Sequence, residues 1–277
     1  VDTGTAFFGR QNAHSGFFKQ EESVMREWFS QGQSEVRLEW GISAVDYLAA
    51  EADCVIVVDV MSFSTCVSLA VDNGARIYPF PWKDRSALEY AATKGISTAS
   101  SDRRFTGEGY SLSPKSLQHI RRGESLLLPS PNGSSVSFRA RDAGSAVFSG
   151  CFRNMTATAT ACRHYDRILV IPCGERWPDG SLRPAVEDYL AAGAIISATG
   201  RENCSPEAQA AVAAWTFHQK TDLSLLNECS SARELRMRGF AADVTLCLEP
   251  DVASSACQLY GDFYSTADMA GQSLQKQ

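Results

Sequence analysis

Short, compact apolar runs alternate along this chain with stretches whose apolar residues return at helical spacing. The clearest run is Cys54–Val60, interrupted only by Asp59, and it predicts a strand buried on both faces. Ala75–Phe80, Ser125–Leu128, Ala146–Ser149 and Ile168–Pro172 predict further strands, and the alternating piece Glu35–Trp40 another. Between them, helical spacing predicts helices from Ser43 as cap through Leu48, over Cys66–Asn73 up to Gly74, from Ser113-Pro114 through Leu117 and Ile120, and over Val136–Ala143 and Met155–Cys162. Later helices are expected from Pro184 through Ala194, over Ala208–Phe217 and Leu223–Glu228, and over Ala232–Arg238 with Gly239 as C-terminal cap.

This rhythm predicts an α/β fold, with Cys54–Phe80 as a βαβ crossover. Residues 1–34 are expected to be an extension carrying Phe7, Phe8, Phe17, Phe18 and Trp28, with a helix over Glu21–Phe29. Residues 35–260 are expected to form one domain and 261–277 a C-terminal tail, with the Ser/Ala/Gln-rich sequence after Leu248 expected to fray. Gly95–Gly109, with its paired Arg103-Arg104, reads as a polar loop turned outward.

Composition narrows the class. At 277 residues and 44% hydrophobic, the chain can bury a sizeable core. A formal net charge of −6 argues against broad attraction to nucleic acid or anionic membranes, while leaving room for a local anion pocket. No run is apolar and long enough to span a bilayer. The nine cysteines are odd in number and never closer than ten residues, which excludes CxxC zinc and redox motifs. Buried thiols in a reducing, cytoplasmic setting are the expectation.

An apolar strand ending in a small polar loop before a helix recurs, and in open α/β sheets ligands bind at such strand ends. Asp59 stands at one, followed by Ser62, Ser64 and Thr65. A buried carboxylate needs hydrogen-bond donors or a cation, so Asp59 either ligates metal or accepts backbone N–H groups that fix the turn. Asn132, Gly133 and Ser134 form a candidate anion-binding turn. Glu175 and Arg176 follow Ile168–Pro172: a metal ligand or base beside an anion-binding guanidinium, or an exposed loop pair. Glu187 and Asp188 open a helix, where carboxylates suit the dipole; gathered with Asp59 they would hold Mg²⁺, which favours oxygen ligands and water. The chemistry would be attack of water, or of Asp59, at phosphorus. The histidines lack zinc spacing; Cys66, Cys151 and Cys173 sit near loop boundaries but begin no Cys-x5-Arg loop. GxSxG and Walker A motifs are absent.

Taken in order, these residues resemble the 2-phosphosulfolactate phosphatase family from about Ser34 to Leu259. Asp59-Val60-Met61-Ser62-Phe63-Ser64-Thr65 is similar to its DVLRAST turn, Leu112-Ser113-Pro114 to Asn-Ser-Pro, and Ser130-Pro131-Asn132-Gly133-Ser134 to Thr-Thr-Asn-Gly-Thr. Ser149-Gly150-Cys151-Phe152-Arg153-Asn154 resembles Gly-Ser-Phe-x-Asn, and Cys173-Gly174-Glu175-Arg176 the Cys-Ala-Gly-x-x-Gly region. Glu187-Asp188, Ala191-Ala192-Gly193-Ala194, Ser230-Ser231, Gly239-Phe240 and Asp243-Val244 match the remainder.

The resemblance implies a three-layer α/β/α sandwich around a largely parallel or mixed sheet. It also implies Mg²⁺-dependent hydrolysis of a small acidic phosphate monoester, 2-phosphosulfolactate in that family. It nominates Asp59, Asn132, Glu175, Glu187 and Asp188 as site residues, joined here by Asn154 as a substrate contact. Ser62 stands where many relatives have Arg, Phe63 where they have a small residue, and Leu112 and Pro131 also depart. Ser cannot reproduce a guanidinium clamp, and Arg153 and Arg176 are the candidates to replace it. A different phosphate ester, a catalytically inactive anion-binding protein and a non-phosphate esterase stay open. Homo-oligomerisation is the default.

Overall fold

The computed structural model describes residues 28–82, 84–100, 102–104, 107–221 and 223–267. The chain divides into two units, Val1–Gln33 and Ser34–Gln277, and the second carries the fold. The helix expected over Glu21–Phe29 lies, but for its last two positions, outside the described residues.

The described strands are β1 (Val36–Leu38), β2 (Cys54–Val58), β3 (Arg76–Phe80), β4 (Ser97–Thr98), β5 (Ser125–Pro129), β6 (Ala146–Gly150), β7 (Ile168–Pro172), β8 (Glu175–Arg176), β9 (Leu182–Arg183), β10 (Cys257–Tyr260) and β11 (Phe263–Thr266). Nine make one mixed sheet in the order β1-β7-β2-β6-β10-β11-β3-β5-β4, while β8 and β9 form a small antiparallel ribbon. The helices are α1 (Gly41–Leu48), α2 (Phe63–Asp72), α3 (Arg85–Lys94), α4 (Pro114–Leu117), α5 (Gly133–Asp142), α6 (Met155–Cys162), α7 (Val186–Thr199), α8 (Pro206–His218), α9 (Ser230–Met237) and α10 (Ala241–Cys247).

The core follows from side-chain alternation on β2, all five of whose residues are buried. Cys54, Ile56 and Val58 join the apolar cluster of α6, α7, α8, α9 and α10. Val55 and Val57 point the other way, into the cluster built with α1, α2 and α5. Each fully buried Val or Ile contributes about 1.5–3 kcal/mol, so a strand without polar positions is stable only between two helical layers. This is the three-layer sandwich. On one outer layer α7 and α8 approach so closely that a Cβ on Gly193 would lie 2.1 Å from the Ala211 carbonyl oxygen.

The expected βαβ crossover does not form. β1, β7, β2 and β6 run parallel, but β10 is antiparallel to β6, β11 to β10, and β3 to β11. Three reversals leave β3, β5 and β4 running opposite to β2, so α2 connects two halves of the sheet rather than neighbouring strands. The hairpin that joins those halves comes from the segment expected to fray: β10 and β11 lie mid-sheet, and the domain runs beyond residue 260. Smaller corrections concern helix starts. α2 begins at Phe63 and α5 at Gly133, each three residues before the expected position, and Ser43 lies inside α1, whose cap position is Trp40.

Candidate active site

The turn after β2 is the centre. Asp59 is 7% exposed. Its carboxylate accepts the Phe63 N–H at Oδ1 (3.3 Å) and the Gly133 N–H at Oδ2 (3.1 Å). The second bond joins the start of α5 to the end of β2 although their strands belong to opposite halves of the sheet. Gly133 is required there: an added Cβ would lie 2.1 Å from Phe63 Cδ1. The bulky Phe63 therefore occupies the space above Gly133, with its ring edge toward Tyr264 at 6.1 Å between centroids.

Asp188 and Glu187, at the start of α7, are both buried. Asp188 accepts N–H groups from Val60 at Oδ1 and Gly174 at Oδ2, each at 2.8 Å, tying together the turns after β2 and β7. Burial raises its pKa, and Glu187 and Asp59 add to that against the two N–H bonds. Glu187 stands beside the Cys229 thiol, which burial and then Glu187 push up to about 12. Glu175 sits across the Gly174 turn. Burial first, then Asp59, raise its carboxyl to about 7; Glu234 and Glu187 contribute, and Arg183 opposes. Four carboxylates from three separated chain positions thus share one neighbourhood.

Beside them a cavity of about 280 Å³ is lined by Trp40, Asn132, Cys173, Glu175, Arg176 and Leu182, among others. The Asn132 side chain donates to the Gly174 carbonyl (3.4 Å) and accepts from Arg176 Nε (3.2 Å), while Arg176 also reaches the Gly180 carbonyl (3.0 Å). A larger hollow of about 680 Å³ beside α6 has one carboxylate in its lining, Asp251, already bonded by the Thr156 N–H at 2.9 Å.

Not every expected ligand faces this site. The Ser64 hydroxyl accepts the Asp59 N–H (3.0 Å) and donates to Val57 O (3.2 Å), and Thr65 donates to Val60 O (2.8 Å). Both brace the turn from inside, because α2 starts early enough to include them. Ser134 is fully buried in the first turn of α5. Asn154 closes the β6 turn on itself, accepting from Cys151 N (3.0 Å) and donating to Ser149 O (3.1 Å). Arg153 turns to Glu249 and the Leu246 carbonyl. The thiols are poor nucleophiles: burial raises Cys66 to about 12, Cys151 less, and Cys173 well above its ordinary value.

Other residues arrive unannounced. Arg103, expected to face outward, has a side chain only 11% exposed. It donates to the Ser62 hydroxyl (2.7 Å) and the Asp243 carboxylate (3.3 Å). Asp243 in turn accepts from Ser113 Oγ (2.6 Å) and the Lys115 N–H (3.0 Å). Asp243 and Ser113 carried part of the family resemblance, the one signal that set them apart; Arg103 had none, since a paired arginine in a polar stretch reads as solvated.

Among the described residues no three His, Cys, Asp or Glu side chains close around a metal position. Asp59, Glu187 and Asp188 carry the oxygen ligands that Mg²⁺ takes, and Asp59 and Asp188 alike already accept a backbone N–H on each oxygen.

In an α/β/α sandwich the loops at the carboxyl ends of the strands, where these carboxylates lie, are the ligand-binding edge of the fold. The 2-phosphosulpholactate phosphatase family matches residues 44–260, and the chain belongs to that family. It is similar to the 2-phosphosulfolactate phosphatase of Methanothermobacter thermautotrophicus, 29% identical over 202 residues, covering 72% of this chain and 84% of that protein. It also resembles a probable 2-phosphosulfolactate phosphatase of Pseudothermotoga lettingae, 25% identical over 201 residues, 72% of this chain and 86% of the relative. Another similar protein of the same description, from Synechococcus sp., is 27% identical over 212 residues, 73% and 85% of the two chains. No helix among the described residues is long and apolar enough to cross a membrane.

Proposed function

We propose that this protein hydrolyses a small acidic phosphate monoester, 2-phosphosulfolactate or a close analogue, at the turn after β2. The observation that carries the reading is that the family match encloses every residue of the cluster, from Asp59 to Asp243. The gathered carboxylates and the small cavity support it. Mg²⁺ held by Asp59 and Glu187 would neutralise phosphoryl charge and supply bound water.

The chain's own groups divide the remaining work. The Phe63 and Gly133 N–H groups fix the Asp59 carboxylate. Arg176, already aligned by Asn132, takes a substrate anion at the cavity. Glu175 is the proton-handling group: it accepts a proton as water adds to phosphorus, and returns it to the departing alcohol oxygen. The ester P–O bond breaks, leaving the alcohol and inorganic phosphate. Asp188 keeps the β2 and β7 turns in register and takes no part in proton transfer.

The test is phosphate release from 2-phosphosulfolactate by purified protein, with Mg²⁺ and with chelator. Turnover is expected with the metal, lost on chelation and at least 100-fold lower in Asp59→Asn. Turnover unchanged by chelation removes the metal from the reaction. Tight binding of the substrate without any turnover would instead favour a non-catalytic anion-binding protein, a reading motivated by Ser62, Phe63 and Leu112.

A further inference from the structure

We infer that Arg103 is an anion-binding residue of this site, a guanidinium delivered from a distant loop to the Ser62 turn. The inference rests on the proposed phosphatase reading and adds a group that recognises substrate charge at the Ser62 turn. Position 62 ends in a hydroxyl, which cannot hold an anion by a charged fork. The Arg103 guanidinium lies 2.7 Å beyond that hydroxyl. Its charge reaches this turn, since Arg103, Asp243 and Asp59 all act on the buried Cys66 thiol in α2.

The supports are built. Asp243 takes one guanidinium nitrogen and is itself held by Ser113 and the Lys115 N–H. Phe240 stands under the guanidinium carbon, 6.0 Å from ring centroid to Cζ. One nitrogen goes to a carboxylate and one to a hydroxyl, which leaves three of the five N–H donors for an oxyanion. Neither arginine expected to replace the lost guanidinium reaches the Ser62 turn: Arg153 faces Glu249, and Arg176 is bonded to Asn132 and Gly180 at the cavity. A substrate carrying both a phosphoryl and a second acidic group suits two separated guanidinium positions, Arg103 and Arg176.

The experiment compares full-length wild type with Arg103→Met, Arg103→Lys and the exposed neighbour Arg104→Met. KM and kcat for 2-phosphosulfolactate are measured, with inhibition by inorganic phosphate and thermal melting for fold. Arg103→Met is expected to raise KM at least tenfold with a smaller change in kcat. Arg103→Lys should keep the Asp243 pair and the fold yet recover only part of that loss. Arg104→Met should match wild type. A folded Arg103→Lys with wild-type KM and wild-type phosphate inhibition overturns the inference, even if Arg103→Met unfolds. If wild type releases no phosphate from any ester, the enzymatic reading fails on its own. Calorimetric binding of inorganic phosphate to wild type and Arg103→Lys then decides: tenfold weaker binding in the variant supports Arg103, while equal or absent binding overturns it.

Discussion

The Glu175 carboxyl gives the sharpest physical test, because its surroundings set a stability gradient with pH. Burial and the charge of Asp59 hold it at about 7, against an ordinary 4.5. At pH 4 and below, folded and unfolded chains both carry the proton, and the residue makes no pH-dependent contribution. As pH rises past 4.5 the unfolded chain releases its proton while the native protein keeps it, so unfolding becomes easier. Above about 7 both forms are ionised and the loss is complete. From 4.5 to about 7, at ~1.36 kcal/mol per pH unit, it amounts to about 3 kcal/mol. Glu175→Gln removes the titration and nearly preserves shape. Urea unfolding of both proteins in chelator, every half unit from pH 4.5 to 8, should show the variant gaining on wild type by about 3 kcal/mol. At about 2–4 °C per kcal/mol for a domain of this size, thermal melts should diverge by several degrees. Parallel stability curves across the range would refute the claim that burial and Asp59 hold this carboxyl protonated.

Two further outcomes separate site from scaffold. Gly133→Ala places a Cβ 2.1 Å from Phe63 Cδ1, and overpacking of this kind typically costs about 1–3 kcal/mol. Adding Phe63→Ala should recover part of the loss that Gly133→Ala alone causes, and additive losses in a urea double-mutant cycle would exclude the proposed collision. Asn154→Ala removes the side-chain partner of the Cys151 N–H and of the Ser149 carbonyl, and a buried group left unsatisfied costs about 1–3 kcal/mol. Its kcat/KM per folded molecule should stay at the wild-type value, and a fall in a folded variant would return Asn154 to the substrate.

What could be read from the chain was set by the range of each interaction. β2 and β7 were legible because five consecutive apolar residues between polar turns satisfy only a doubly covered strand. Strand order was not, because β10 and β11 are four-residue strands, each only half buried, near a polar terminus, and their place mid-sheet depends on pairing with β6 and β3. The same division holds at the site. Asp59 announces itself by charge inside an apolar run, and Glu175, Glu187 and Asp188 by position after a strand or before a helix. A hydroxyl gives no such notice: Ser64 and Thr65 satisfy nearby backbone, while Ser62 in the same turn accepts from Arg103. Arg103 lies 41 residues from Ser62 and 140 from Asp243, so no local pattern records that it turns inward. If anion recognition is assembled this way, a relative with Arg in the β2 turn and this chain with Ser62 can place positive charge in one region through different segments. Loss of a motif residue then predicts where to look for its replacement, not loss of the activity.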